Sequence, residues 1–263
     1  MSDILAELTE ARRDDAVRRE AEVPFVEMLR RAEAAPAPRD FAAAFQASST
    51  PRVIAELKRA SPSEGMIREA FHPVELAKAL EGAGAAALSV LCEPHRFLGS
   101  EEYLSAVRRI VDIPILYKDF ISSPYQVAAA RAAGADAVLL IAAVLDDPAL
   151  KELLAFAHGL GLAALVETHD AGEIERAVQS GARIVGVNCR NLRNFACDVS
   201  LLKTLVGQIP RPCLRIAESG MHTAEAIRRA QAAGADGFLV GTALMRAENP
   251  GDRLCELMRP EGA

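Results

Sequence analysis

Along this chain, short uninterrupted apolar runs alternate with longer stretches in which apolar residues recur at helical spacing. The runs at 53–58, 87–91, 114–118, 137–141, 163–167, 184–188, 214–218 and 237–241 are short and rich in branched side chains, as strands buried on both faces require. Between them, residues 72–81, 101–111, 124–133, 148–160, 171–179, 199–206 and 223–233 read as amphipathic helices, and 251–258 as a last one. Four of the joints, at 82–91, 132–141, 180–188 and 232–241, repeat one design: a helix end, a glycine stop, then a strand. Strands separated by helical crossovers are parallel. Eight such units predict an α/β fold, the closed (β/α)8 TIM barrel of eight parallel strands. An open dinucleotide-binding sheet would place a glycine-rich loop after its first strand, where this chain has Ser61-Pro62-Ser63.

Ahead of the barrel, Ile4, Leu8 and Ala11 stand at helical spacing, and a second helix begins at Pro24 and carries Phe25, Val26, Met28 and Leu29. Pro36 and Pro38 break the pattern. Residues 1–48 are therefore expected to form an N-terminal helical extension, and 49–263 the barrel, in one domain overall. The extension is either a packing appendage or part of the site.

Composition narrows the function. A net charge of -6 over 263 residues argues against a sequence-independent nucleic-acid binder, which needs a basic surface to displace counterions. Cys92, Cys189, Cys197, Cys213 and Cys255 are odd in number and widely spaced, so neither a disulfide framework nor a zinc site is expected. Reduced thiols, a charged start without a signal-peptide core, and no apolar run long enough to span a bilayer suit a cytoplasmic protein with no membrane partner. His72, His95, His158, His169 and His222 show no ligand spacing and are expected at the surface.

The chemistry collects where a barrel keeps its sites, at the C-terminal ends of the strands. Glu56 and Lys58 share one face of the first strand, which reads either as a structural ion pair or as a catalytic pair. The same position brings Lys118 from the third strand, Glu167 from the fifth, Asn188 and Arg190 from the sixth, and Glu218 and Ser219 from the seventh. One stray ion pair does not explain five charged strand ends, so a site is the better reading. Glu218-Ser219-Gly220-Met221 and the stretch from Gly241 and Thr242 to Met245 read as phosphate grips, because glycines let backbone N–H groups approach an anion. The G-x-S-x-G nucleophile elbow is absent, which leaves acid–base work to Lys and Glu.

Seven motifs in order carry a resemblance: Ile54-Ala-Glu-Leu-Lys-Arg-Ala-Ser-Pro-Ser63; Ser89-Val-Leu-Cys-Glu93 with Phe97-Leu-Gly-Ser100; Lys118-Asp-Phe120; Leu165-Val-Glu167; Gly186-Val-Asn-Cys-Arg-Asn-Leu192; Ala217-Glu-Ser-Gly220; and Val240-Gly-Thr-Ala-Leu-Met-Arg246. Over nearly its whole length the chain resembles the indole-3-glycerol phosphate synthase family of tryptophan biosynthesis. The resemblance implies a carboxy-lyase. It would close 1-(2-carboxyphenylamino)-1-deoxyribulose 5-phosphate to indole-3-glycerol phosphate with loss of carbon dioxide and water, using no cofactor.

By the same resemblance Lys118 is the acid for ring closure with Glu167 assisting, and Glu56 and Lys58 serve dehydration. Asn188 and Arg190 orient the substrate, and Glu218 and Ser219 line the pocket. Ser61, Gly220, Gly241 and Thr242 hold phosphate, and Phe97 and Phe120 wall the aromatic ring or pack the core. The family's extension covers part of the mouth. The implied partner is a small phosphorylated substrate, and the protein is a monomer or weak homo-oligomer.

Departures from the family pattern are Cys92 and Cys189 for the usual Thr and Asn, Tyr117 for a usual Arg, and Asn194 and Ala196 after the sixth strand. Tyr117 has the opposite parity from Lys118 and is expected to face the helices. Cys189 and the loop changes could tune specificity, for instance toward a ring-substituted anthranilate in a specialised pathway. Rival readings are a Schiff-base aldolase built on Lys58 or Lys118 and a non-catalytic phosphate-ligand-binding barrel.

Overall fold

Eight parallel strands close on themselves in a computed structural model that describes residues 4–46, 50–190 and 200–259. The strands are Val53–Leu57, Ala87–Leu91, Ile115–Lys118, Ala137–Ile141, Ala163–Thr168, Ile184–Asn188, Leu214–Glu218 and Gly237–Val240, each hydrogen-bonded to its sequence neighbours, the last to the first. The barrel predicted from the alternation is therefore the fold. Four strands have the expected ends; the others shift by one residue at an end, as Lys58 and Gly241 fall just past pairing. At the four repeated joints, Gly84, Gly134, Gly181 and Gly234 all have φ between 91° and 99°, a conformation that costs a side chain dearly and ends each helix before its strand.

Strand parity divides the apolar residues between two cores. Ala55, Leu57, Val90 and Tyr117 pack under the helices, whereas Ile54, Leu116, Leu139, Leu165, Ile216 and Leu239 fill the barrel interior. Tyr117 faces outward as its parity predicts. Phe41, which caps a 3-10 turn at Ala42–Phe45, and Phe45, its last residue, join the interior core. The alanine-rich linker had given no sign of that turn, and only the i, i+4 spacing of its phenylalanines could have suggested it.

Ahead of the barrel lie helices Ile4–Glu22 and Phe25–Ala34. The second packs Met28 and Ala32 against Tyr125, Ala128 and Ala129 of the helix after the third strand. Arg12 of the first, 5% exposed, reaches Asp119 next to Lys118, with Nε at 2.9 Å and Nη2 at 2.6 Å from its carboxylate oxygens. Arg19 grips Glu101 with two bonds of 2.6 Å. The Tyr117 hydroxyl lies within hydrogen-bond reach of both carboxylates, 2.7 Å from Glu101 and 3.0 Å from Asp119. Cys92 and Cys189 are buried under the helices, away from the barrel interior. Cys197, Asn194 and Ala196 lie outside the described residues. Among the described residues, no helix is long and apolar enough to cross a membrane.

Candidate active site

Register sets the ends of the strands at a common level. Asn188 pairs with Glu218, Ile141 with Glu167, Leu91 with Lys118 and Glu56 with Ser89, so charged residues far apart in sequence face one another. Every site residue expected from the sequence lines one cavity at this end: Glu56, Lys58, Ser61, Phe97, Lys118, Phe120, Glu167, Asn188, Arg190, Glu218, Ser219, Gly220, Gly241 and Thr242. Ile4, Leu5 and Leu8 of the first helix add an apolar wall.

Lys118 is the hub. Its Nζ donates to Glu167 Oε2 at 2.9 Å and to Glu218 Oε2 at 3.0 Å, with the lysine side chain 13% exposed. Burial disfavours the ammonium, but the carboxylates of Glu167, Glu218 and Glu56 outweigh it and raise the pKa above the ordinary lysine value. Burial likewise opposes the Glu167 carboxylate, yet Lys118 and His169 prevail and hold its pKa well below the usual value. Glu218 goes the other way. Burial, together with the charge of Glu167, overcomes the help of Lys118 and pushes its pKa up to about 8. Of the two acids on Lys118, Glu218 is therefore the one that holds a proton more readily, and the titration belongs to the group of three. Glu218 Oε1 is buried without a hydrogen-bond partner.

Glu56 and Lys58 form a separate pair at 2.9 Å, facing the same cavity. Two glycines make room for the acids. A Cβ at Gly241 would overlap Glu56 Oε2 and lie 3.1 Å from Lys58 Nζ; one at Gly186 would overlap Glu218 Oε1 and lie 3.1 Å from its Cδ. Strand patterning alone does not disclose either accommodation, because the acids concerned come from neighbouring strands.

Asn188 is held by its neighbours. Its Nδ2 donates to Glu167 Oε1 at 3.1 Å, and its Oδ1 accepts from Ser219 Oγ at 2.7 Å and from the Arg190 backbone N–H at 3.0 Å. Ser219 and Gly220 take φ of 63° and 72°, a sharp left-handed turn at the seventh strand's end; for Ser219 this is uncommon backbone, secured by the bond to Asn188. Ser61 is buried, and its Oγ accepts the Glu64 N–H at 3.2 Å within a small ribbon pairing Ala60–Ser61 with Gly65–Met66. Phe97 and Phe120 are half-buried with ring centroids 6.1 Å apart. Buried Glu93 orders the Phe97 loop by accepting the N–H groups of His95, Arg96 and Phe97 at 2.6 to 2.8 Å.

Four of the histidines are exposed, but His169 corrects the expectation of a surface position. Its side chain is 17% exposed and wedged between Glu167 and Glu173. Its signal was its position two residues after Glu167, which period-2 parity assigns to the same face. His222, though exposed, lines the cavity. Among the described residues, no group of three or more His, Cys, Asp or Glu side chains is placed to hold a metal ion.

Residues 5–257 match the family model for indole-3-glycerol phosphate synthase. The chain is 44% identical over 260 residues to the indole-3-glycerol phosphate synthase of Acidithiobacillus ferrooxidans, covering 98% of this chain and 99% of that one. It is 46% identical over 255 residues to the enzyme of that name from Mycolicibacterium gilvum, covering 97% and 93%. Among solved structures, it is similar in fold to a thiamine phosphate pyrophosphorylase from Pyrococcus furiosus, with a TM-score of 0.59 and 18% identity over 79% of this chain and 93% of that one. It is also similar to an N-acetylmannosamine-6-phosphate 2-epimerase from Clostridium perfringens, with a TM-score of 0.60 and 18% identity over 74% and 88%.

Proposed function

The chain belongs to the indole-3-glycerol phosphate synthase family, and on that premise we propose how its barrel mouth carries out the family's ring closure, decarboxylation and dehydration. The observation that supports this most is the position of Lys118, a buried ammonium held between Glu167 and Glu218. An anthranilate ring carbon attacking the ribulose ketone builds negative charge on the ketone oxygen, and a positioned ammonium supplies the proton that oxygen needs. The same charge state speaks against a Schiff-base aldolase built on Lys118, whose lysine must attack as a neutral amine.

In this reading Lys118 protonates the ketone as the carbon–carbon bond forms, and Glu167 stabilises the positive charge that spreads to the anilino nitrogen. Departure of carbon dioxide leaves the bonding electrons to restore the aromatic ring. Dehydration then needs an acid at the departing hydroxyl and a base for the proton lost in forming the indole, a task that fits the Lys58–Glu56 pair at 2.9 Å. Asn188, fixed by Ser219 and bonded to Glu167, and Arg190 beside it orient the substrate. Glu218 holds Lys118 from the opposite side. Phe97 and Phe120 flank the aromatic ring, while Ser61, Gly220, Gly241 and Thr242 receive the phosphate.

Residues 1–48 act in this account as a cover on the mouth, to which Ile4, Leu5 and Leu8 contribute apolar surface. The protein is read as a cytoplasmic monomer or weak homo-oligomer whose partner is this phosphorylated intermediate. Incubating the enzyme with the unsubstituted ribulotide and with ring-substituted analogues, and following indole fluorescence, tests the reading. A higher kcat/KM on the plain substrate supports it. Preference for a substituted ring would assign the chain to a specialised pathway, and binding without turnover of any of them would leave a ligand-binding barrel.

A further inference from the structure

His169 follows the fifth strand, outside the lining of the mouth but against the back of Glu167. Glu173 anchors it. The same Glu173 Oε2 accepts the His169 backbone N–H at 2.7 Å and lies 3.1 Å from ring Nδ1. Glu173 is itself placed by the start of its helix, where Asp170 accepts the Glu173 N–H at 2.8 Å. With Nδ1 committed to Glu173, the other ring nitrogen is directed at the site. Nε2 is buried, has no hydrogen-bond partner in this geometry, and lies 3.4 Å from Glu167 Oε1. Oε1 is the oxygen that also accepts from Asn188, whereas Oε2 faces Lys118.

We propose that His169 is a positioning residue for the reaction: an imidazolium strut, braced by Glu173, that keeps the Glu167 carboxylate ionised and aimed at Lys118 while protons move in the mouth. The inference rests on the reading of Glu167 as the ionised carboxylate that stabilises the positive charge of ring closure beside Lys118. The charged groups that face the ring are Glu167 from its own strand and Glu173 from the next helix; Lys118 of the third strand and Glu218 of the seventh act on it through Glu167. Burial alone would keep the imidazole neutral, but the two carboxylates overcome it and push its pKa up to about 10. The ring therefore stays charged through the neutral range. A cation behind a buried carboxylate lowers the cost of keeping that carboxylate ionised at the moment Lys118 gives up its proton.

The test is the pH profile of kcat for His169→Asn, Glu173→Gln and Glu167→Gln beside the native enzyme. Removing the cation makes Glu167 harder to ionise. His169→Asn should lower kcat about tenfold with KM within about twofold, and move the acidic limb up by about one pH unit. Glu173→Gln should move the limb the same way by less, and it decides the matter if His169→Asn fails to fold. In the Glu167→Gln background, His169→Asn should cost no further activity. Nitrogen-15 spectra of histidine-labelled enzyme should show this ring doubly protonated at pH 8. An unmoved acidic limb in both His169→Asn and Glu173→Gln, or a neutral ring at pH 8, overturns the proposal. Full activity of Glu167→Gln would instead overturn the underlying reading of Glu167, so the two failures are distinct.

Discussion

Gly186→Ala puts the central cluster under a controlled strain, because one methyl group would enter the space that Glu218 occupies. The added Cβ overlaps Glu218 Oε1 and lies 3.1 Å from its Cδ and 3.2 Å from Leu165 Cδ1. To restore ordinary contact the carboxyl must retreat by about 1 Å. Glu218 is 1% exposed and holds Lys118 at 3.0 Å, so it has no solvent to retreat into and takes its bond with it. A misplacement of about 1 Å in such a cluster lowers kcat about a hundredfold. The overpacking itself costs about 1–3 kcal/mol, which in a chain of this size lowers Tm by about 2–10 °C. Steady-state indole fluorescence and circular-dichroism melts on the same preparation read both effects. Adding Glu218→Asp, which withdraws the carboxyl from the methyl, should recover most of the Tm and little of the kcat. Native kcat within twofold in Gly186→Ala would refute the claim that Glu218 must sit where it does.

Three further outcomes follow from the same contacts. A Glu218 pKa near 8, above its unfolded value, means that the folded protein binds a proton the unfolded chain has lost; its stabilising contribution is present below about pH 4 and disappears as pH rises through about 8. Glu218→Gln should therefore gain stability relative to the native protein between pH 6 and pH 9 in urea titrations, and a constant difference would contradict the assignment. Tyr117→Phe removes the donor shared by Glu101 and Asp119 and should cost about 1–3 kcal/mol by urea midpoint. Because Arg12 and Arg19 of the first helix grip those same carboxylates, KM should rise more than kcat falls, whereas an unchanged midpoint would mean the bridge is idle.

What the sequence disclosed was periodic. Strand parity alone places Ile54 in the barrel interior and Ala55, Leu57 and Tyr117 under the helices, and the structure agrees at each position. The glycine stops were legible for the same reason, since they recur with the unit they terminate. The expected site residues meet in one cavity because barrel topology gathers strand ends, whatever their separation along the chain. Partnerships were not legible. Lys118 and Glu218 meet across 100 positions, and Arg12 meets Asp119 across 107, with no local pattern to announce either pair. Likewise Gly186 looks like an ordinary interruption until Glu218 of the adjoining strand fills its empty face, and Gly241, read as a phosphate grip, gives no sign that it also makes room for Glu56. His169 was misread because its exposure is decided by Glu173, a residue on the next helix that folds back over it.

The central claim is that Lys118 delivers the proton that closes the ring. Single-turnover indole formation by Lys118→Ala, with ribulotide binding measured separately by displacement of a phosphorylated competitor, tests it most directly. The account predicts binding within a few-fold of native and a rate of ring closure lower by about a hundred- to ten-thousand-fold. Ring closure at the native rate in Lys118→Ala would contradict it.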